Sequence, residues 1–214
     1  MSRKITLFLL LSFVAALEST HAAKFGVGLR AGTQGAGAEF GVGITERFGV
    51  RAGYYPMSLA TDYEQTDVMY DGDIRFGGLG LIADFHPFKG RFHLSAGIFS
   101  NENEILLSAT PTTSLDIGGT TYTPAEIGTL SGRISFNSTA PYFGLGWGRI
   151  NGEKRVGLLF DLGILRQGRG RVDLTSSAGL ISLVDLQAEI SEIEADIEHF
   201  EFWPVASVGL AIRF

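Results

Sequence analysis

Along most of the chain from Phe25 onward, apolar residues alternate with small or polar residues at a period of two. This spacing places the two sets on opposite faces of a β-strand. One segment is irregular, because Ile74 and Phe76 are out of phase with Leu79 and Leu81, and a bulge at Gly77-Gly78 would restore the phase. The pattern predicts eight strands, at residues 25–31, 38–44, 48–55, 74–85, 92–98, 142–147, 156–164 and 204–214.

The two faces of the predicted strands differ from those of a soluble sheet, since one face is large and apolar and the other is mostly glycine with a few charges. Closing the sheet with its apolar face toward lipid removes every edge and satisfies the backbone in hydrocarbon. The fold class is therefore predicted as all-β, an eight-stranded antiparallel up-and-down transmembrane barrel. Eight strands enclose an interior that side chains fill, so the inward charges are expected to form ion pairs. These lumen candidates are Arg30, Glu39, Arg51, Asp84, Asp161 and Arg213.

Short connections alternate with long ones, and the long connections cover residues 58–72, 101–138 and 168–200. Such asymmetry is typical of outer-membrane barrels with short periplasmic turns, long outside loops and both termini in the periplasm. Taken as 58–73, 101–138 and 168–201, the long connections hold 17 acidic and 3 basic residues. The acidic loop candidates for attracting cations are Asp62, Glu64, Asp67, Asp71, Asp73, Glu189, Glu192, Glu194, Asp196 and Glu198.

Two helices are predicted within these loops. The sequence Thr123-Pro124-Ala125-Glu126 is a helix-start signature that Gly128 closes after a single turn. A stripe at 3-4 spacing predicts a short amphipathic helix in the last loop, with an acidic face. We expect the stripe to pack on the barrel rim, and a role toward a partner helix or a membrane surface is the alternative. The stripe consists of Leu183, Leu186, Ile190, Ile193, Ile197 and Phe200.

The first 23 residues have the organisation of a cleaved secretory signal peptide. Arg3 and Lys4 precede an apolar stretch from Ile5 to Leu17 that is too short to span a bilayer, and Ala22-Ala23 provides small residues for cleavage. The predicted organisation is therefore a signal peptide at 1–23 and a barrel domain at 24–214.

Composition excludes several classes of protein. The chain has no cysteine, so disulfide frameworks, thiolate metal sites and thiol nucleophiles are excluded. Its net charge of −6 argues against a nucleic-acid partner, which needs a basic footprint. Neither His86 nor His199 has a second histidine at metal spacing, and we predict no metal and no cofactor.

Two stretches resemble small eight-stranded outer-membrane β-barrels of Gram-negative bacteria, of the OmpA, OmpX and OmpW type. One is the glycine-aromatic run from Tyr142 to Gly148, and the other is the last strand, Val208 to Phe214, with its aromatic end. The resemblance implies location in the cell outer membrane, among lipid and lipopolysaccharide. It also implies that Phe214 belongs to an assembly signal read by the barrel-assembly machinery, with periplasmic chaperones acting during biogenesis.

Three functions follow as hypotheses. The first is a barrel with a packed, ion-paired lumen and a structural or interaction role through its long acidic outside loops. The second is a narrow, porin-like diffusion channel, whose acidic rim concentrates small cationic solutes. The third is a lipid A-modifying enzyme, because His93-Leu94-Ser95 resembles an element of lipid A deacylases. Ala96 departs from that family's pattern and the face is luminal, so we predict no enzyme activity and no catalytic residue.

Overall fold

Eight antiparallel strands close into a barrel, which confirms the predicted fold class. The computed structural model describes residues 24–65, 68–150 and 155–213, so the predicted signal peptide and Phe214 lie outside the described residues. In the barrel each strand pairs with two neighbours, and the first strand pairs with the last. The strands, numbered in chain order, are β1 (Lys24–Gly32), β2 (Gly35–Gly43), β3 (Phe48–Tyr54), β6 (Gly78–Phe85), β7 (Phe92–Asn101), β12 (Thr139–Trp147), β13 (Val156–Arg166) and β15 (Phe202–Arg213).

The outer surface of the barrel is an apolar belt. Side chains of alternate residues point outward on every barrel strand, and the largest of them are about half exposed or more. A soluble monomer rarely exposes so much contiguous apolar surface, whereas lipid solvates it at no cost. The belt includes Leu29, Phe40, Leu79, Leu81, Ile98, Phe143, Leu145, Leu158, Leu162, Ile164, Val208 and Leu210.

The long connections form a second sheet instead of irregular loops. We name it the loop sheet, and the barrel end that carries it the loop end; the opposite end, with the short connections, is the turn end. The loop sheet has five strands, which are β4 (Met57–Gln65), β5 (Val68–Phe76), β8 (Glu104–Pro111), β11 (Leu130–Ser135) and β14 (Arg171–Ser176). They lie in the order β14-β11-β8-β5-β4.

The loop sheet continues the barrel strands without a change of register on three of its four strand pairs. On one pair, Tyr54 lies opposite Leu79 in the barrel, and Met57 lies opposite Phe76 beyond it, with an equal number of residues between on each strand. The bulge predicted at Gly77-Gly78 is therefore wrong. Gly77 and Gly78 do take positive φ values of 117° and 138°, but they add no residue to the ladder.

The phase change at Ile74 and Phe76 has another cause, which is that the apolar face of the sheet changes sides above the barrel. One row of directly paired residues crosses all five strands on the face that continues the lumen-facing side of the barrel. The row consists of Leu59, Ile74, Ile105, Ile134 and Val172. The opposite face carries the charges of the loop sheet, including Asp73, Arg75, Glu104, Arg133 and Asp173. This is the arrangement of a sheet in water, with apolar residues inside and charges outside.

A hairpin and a single helical turn cover the loop sheet at its end farthest from the barrel, and the first part of a second helix packs against them. The hairpin consists of β9 (Leu115–Ile117) and β10 (Thr120–Tyr122), and the single turn α1 (Pro124–Ile127) follows as predicted. Thr123 N–H donates to Glu126 Oε2 at 2.8 Å, which caps that turn. Ile117, Tyr122, Ile127 and Ile181 form a buried cluster between these elements.

The predicted amphipathic helix is α2 (Leu183–Asp196), which continues as a 3-10 helix at Glu198–Glu201. Its apolar stripe packs on the loop sheet and the hairpin, so the expected packing on the barrel rim is wrong. Leu186 contacts the buried cluster and Ile197 lies against Gly170, whereas Leu183 and Phe200 are exposed. In the part of the chain that the structure describes, no helix is long and apolar enough to cross a membrane.

The apolar belt predicts the effect of charge on its surface. Leu162→Arg places a guanidinium on the lipid-facing side of β13 and should lower the free energy of unfolding in lipid vesicles by about 2–4 kcal/mol. Thr175→Arg, on the exposed charged face of the loop sheet, is the matched control and should change it by less than about 0.5 kcal/mol. Urea titration measures both values, and an equal loss for the two variants would contradict a lipid-facing belt.

Candidate functional site: the closed lumen

Arg51 lies at the centre of the lumen, in contact with three carboxylates. β3 directs its side chain inward, and only 4% of the side chain is exposed. Its Nη2 lies 2.7 Å from Asp161 Oδ1, its Nε 3.0 Å from Asp84 Oδ2 and its Nη1 3.3 Å from Glu39 Oε2. A guanidinium has five N–H donors in one plane, which lets it bind acids from three different strands at once.

Arg30 on β1 binds two of the same three acids, Glu39 and Asp161. Its Nη2 lies 2.8 Å from Glu39 Oε1, and its Nη1 contacts Asp161. The two arginines thus bridge β1, β2, β3, β6 and β13 through buried ion pairs. Both the charges and the hydrogen bonds of such pairs must be satisfied, because an unpaired buried charge costs several kcal/mol.

Neutral donors satisfy the remaining lone pairs of the carboxylates. Tyr55 hydroxyl donates to Glu39 Oε2 at 2.9 Å, and Ser95 hydroxyl donates to Asp84 Oδ1 at 2.6 Å. Neither residue was among the predicted lumen candidates, although the inward parity of each was readable from the strand pattern. We name the set of Arg30, Glu39, Arg51, Asp84, Asp161, Tyr55, His93 and Ser95 the lumen cluster.

His93 completes the charge balance of the lumen cluster. Its Nε2 lies 3.1 Å from Asp161 Oδ1, and its Nδ1 lies 3.2 Å from the carbonyl oxygens of Arg91 and Gly148. Since all of these partners are acceptors, both ring nitrogens serve as donors only in the doubly protonated ring. An imidazolium at this position brings the cluster to three positive and three negative charges.

Arg213, the sixth predicted lumen candidate, lies apart from the cluster. Its guanidinium donates to the carbonyl oxygen of Arg149, through Nε at 2.8 Å and through Nη2. Arg149 belongs to the connection between β12 and β13 at the turn end. Strand parity therefore gave the inward direction of Arg213 but not its depth, which is at the mouth of the barrel.

An apolar layer fills the lumen above the cluster, toward the loop end. It is built from inward residues of five strands and from Tyr55, which follows β3, and Phe99 and Tyr142 contact edge to face with centroids 5.7 Å apart. Trp203 packs on this layer and stacks with Phe76 at 4.9 Å between centroids. The layer consists of Tyr55, Ile82, Phe99, Ala140, Tyr142, Leu165 and Val205.

A second apolar layer closes the lumen at the turn end. Ile150, from the connection between β12 and β13, folds back into the barrel and packs with Leu159 and Ala211. Glycines leave room for it: a Cβ at Gly26 would lie 1.8 Å from the Ile150 carbonyl oxygen, and one at Gly41 would lie 2.1 Å from Ile150 Cγ2. Ile150 was missed in the sequence because its connection has no alternating pattern, although these inward glycines signalled a close approach.

We name Ile150 the plug. Hydrogen bonds among the three short connections at the turn end hold it in place. Arg149 guanidinium donates to the carbonyl oxygens of Lys89, at 3.2 Å, and of Glu46, which lie in the two other short connections. His86 lies beside His93, with ring centroids 5.2 Å apart, and burial together with the positive charge of Arg149 lowers the pKa of His86 to about 4. His86 is therefore neutral at pH 7.

Between the cluster and the plug the barrel leaves a cavity of about 10 Å³, lined by Arg30, Arg51, His86, His93 and Ile150 among others. That volume is enough for about one water molecule. The apolar layer, the lumen cluster and the plug are thus three successive obstructions. In the described part of the barrel they lie one after another along the lumen.

The predicted histidine–serine pair lies inside this closed interior. His93 binds Asp161 while Ser95 binds Asp84, so the two side chains have different partners. Both are buried, on the luminal face of β7. A lipid substrate in the surrounding membrane would meet the opposite face of that strand.

The acidic loop candidates have separate positions and do not form one site. Asp73 pairs with Arg75 at 2.8 Å, Glu189 accepts from Gly118 N–H and Glu194 accepts from Val172 N–H, both at 3.0 Å. Asp71, Glu192, Asp196 and Glu198 are exposed, and the side chains of Asp62, Glu64 and Asp67 lie outside the described part of the chain. Within the described ranges, no group of three or more acidic or histidine side chains could hold a metal ion.

Comparison with known proteins places the fold. Neither a protein-family model nor a curated protein matches the chain. The crystal structure of Acinetobacter baumannii CarO2 is similar with a TM-score of 0.60 and 20% identity, over 91% of this chain and 100% of that one. Acinetobacter baumannii CarO is similar with a TM-score of 0.59 and 23% identity, over 88% and 97%. The chain has the fold of the small eight-stranded outer-membrane β-barrels.

The buried arginine predicts a large loss of stability on its removal. Arg51→Met leaves Glu39, Asp84 and Asp161 with too little positive charge, and it should lower the free energy of unfolding by about 3–5 kcal/mol. Arg75→Met removes a half-exposed arginine from the loop sheet and should cost less than about 1 kcal/mol. Urea titration of the refolded barrel in vesicles measures both, and similar small losses for the two variants would show that the lumen cluster does not stabilise the fold.

Proposed function

We propose that the chain is an integral protein of the cell outer membrane, whose closed barrel anchors the loop sheet outside as an interaction surface. The observation that carries the proposal is the filling of the lumen by two apolar layers with the lumen cluster between them. Ile150 belongs to the layer at the turn end, Arg51 to the lumen cluster and Phe99 to the layer toward the loop end. A scaffold needs no passage, whereas a channel needs a continuous aqueous one.

The orientation in the membrane is part of the proposal. The turn end faces the periplasm with both termini, and the loop sheet faces outside. The connections at the turn end are all short, whereas three of the four at the loop end are long and acidic, and this asymmetry supports the orientation. Export through a cleaved signal peptide at residues 1–23 is required to reach this position.

The surroundings follow from the belt and the chain ends. Outer-membrane lipid contacts the apolar belt, and lipopolysaccharide lies beside its loop end. Assembly uses the barrel-assembly machinery and periplasmic chaperones, with Phe214 in the signal that the machinery reads. The buried positions of His93 and Ser95 support a structural role for that pair. The proposed function uses no cofactor.

Single-channel recording tests the closed lumen. The refolded barrel in a planar bilayer should give no discrete conductance, because an aqueous ion cannot pass three filled layers. Heat-modifiable gel mobility of the same preparation establishes that the barrel has folded, and an open porin in the same bilayer is the positive control. Discrete cation-selective steps would contradict the closed lumen and favour the narrow channel for small cationic solutes.

Labelling of single cysteines in intact cells tests the orientation. The chain has no cysteine of its own, so Leu183→Cys on the loop side and Phe88→Cys on the turn side each introduce one exposed thiol. A membrane-impermeant maleimide should label only the Leu183→Cys protein in intact cells and both proteins after lysis. Labelling of Phe88→Cys alone in intact cells would invert the proposed orientation.

A further inference from the structure

The tip of the last long connection exposes three large aliphatic side chains. We name residues 178–184, which lead from β14 into the first turn of α2, the distal tip. Leu180 is 65% exposed, Leu183 83% and Val184 77%. Because β14 runs away from the barrel and α2 returns toward β15, this segment lies at the end of the loop sheet farthest from the apolar belt. The membrane that surrounds the barrel therefore does not cover it.

Several contacts fix the distal tip in one conformation. Ile181 is buried in the cluster with Ile117, Tyr122 and Ile127, and it anchors the segment between the exposed leucines. Ser182 N–H donates to the Tyr122 hydroxyl at 3.1 Å, and Ser182 Oγ caps α2 by accepting from Asp185 N–H at 3.1 Å. An apolar surface that is already ordered binds without the entropy cost of ordering a loop.

The charge around the distal tip has one sign. The segments nearest the distal tip, residues 112–130 and 177–192, contain five acidic residues and no lysine or arginine. Asp185 accepts from the Tyr122 hydroxyl at 2.5 Å, a hydrogen bond that holds its pKa below the usual value. Asp116 on the hairpin and Glu192 on α2 are exposed. The tip is thus an aliphatic knob with an acidic surround, an arrangement with the apolar centre and polar rim of a protein interface.

We propose that the distal tip binds a cationic amphipathic polypeptide segment, with aliphatic residues against Leu180, Leu183 and Val184 and basic residues against the acids. The proposal rests on the proposed outside position of the loop sheet. Charge complementarity selects this partner, because like charges repel both an anionic membrane surface and the same tip of a second copy. A basic rim on the partner meets the exposed carboxylates of Asp116 and Glu192.

Binding of a synthetic peptide tests the proposal. The probe is a fluorescent 14-residue amphipathic helix of leucine and lysine, and the protein is reconstituted in phosphatidylcholine nanodiscs, with empty nanodiscs subtracted. Fluorescence anisotropy should give saturable binding that weakens as salt is added. The double variant Leu183→Ser/Val184→Ser should weaken it about tenfold, because it removes the two most exposed aliphatic groups of the tip.

Matched variants distinguish the contribution of the exposed aliphatic side chains to peptide binding from that of the acidic residues. Asp116→Asn/Glu192→Gln should also weaken binding severalfold, while Phe88→Ser, an equally exposed apolar residue at the turn end, should leave it within twofold. Equal binding by the wild type and Leu183→Ser/Val184→Ser would overturn the proposal. So would a loss confined to the charge variant, which would indicate diffuse attraction by the acidic surface.

Two further readouts distinguish the other occupants. Capture of the nanodiscs by phosphatidylglycerol vesicles, lost in Leu183→Ser/Val184→Ser, would overturn the proposal in favour of a membrane surface. Pairing of nanodiscs through the same residues would overturn it in favour of a second copy. If the barrel gives no conductance and has the proposed orientation, failure of the peptide to bind contradicts only this inference. Discrete conductance, or labelling of Phe88→Cys alone in intact cells, contradicts the proposed function itself.

Discussion

Closure of the sheet is the constraint on which the rest of this molecule depends. In hydrocarbon every backbone N–H and C=O needs a partner, and the pairing of β1 with β15 removes the last open edge. With only eight strands the closed tube is narrow, so inward residues must be small, apolar or paired. Arg51 is stable there because three carboxylates surround it, and the glycines of β1 and β2 leave the space into which Ile150 folds.

The strand pattern predicts this barrel well because period-two alternation reports directly on which face a side chain occupies. Five of the six inward charges, Arg30, Glu39, Arg51, Asp84 and Asp161, come together since they also lie at similar depth. Parity contains no information on depth, so Arg213 could not be separated from them. The third positive charge could not be predicted for another reason, because the acceptors of His93 include groups of Asp161 and Gly148, which lie 68 and 55 residues away in the sequence.

The loop sheet could not be predicted from the same pattern, because the environment that defines the pattern changes at the end of the barrel. Within the membrane the large apolar residues face outward, and beyond it they face inward. Ile74 and Phe76 lie past that boundary, on the inner side of the sheet, and Phe76 packs on Trp203. The surroundings of the outer face change from lipid to water at this boundary. If one environment is assumed for the whole strand, the change looks like a one-residue shift of the alternating pattern.

The register continues from the barrel into the loop sheet on three of the four strand pairs, and this continuity bears on how such a chain can vary in evolution. Extra residues at the hairpin tips change only length, whereas a single extra residue at the membrane boundary turns one side of the loop sheet inside out. The β13–β14 strand carries such a one-residue change: Leu165 and Val172 both face inward although an even number of residues separates them. Gly168, with a φ of 80°, lies in the break that absorbs it. Insertions at this boundary thus preserve the faces of the sheet only when they add an even number of residues, or when they fall where a glycine allows the chain to change face.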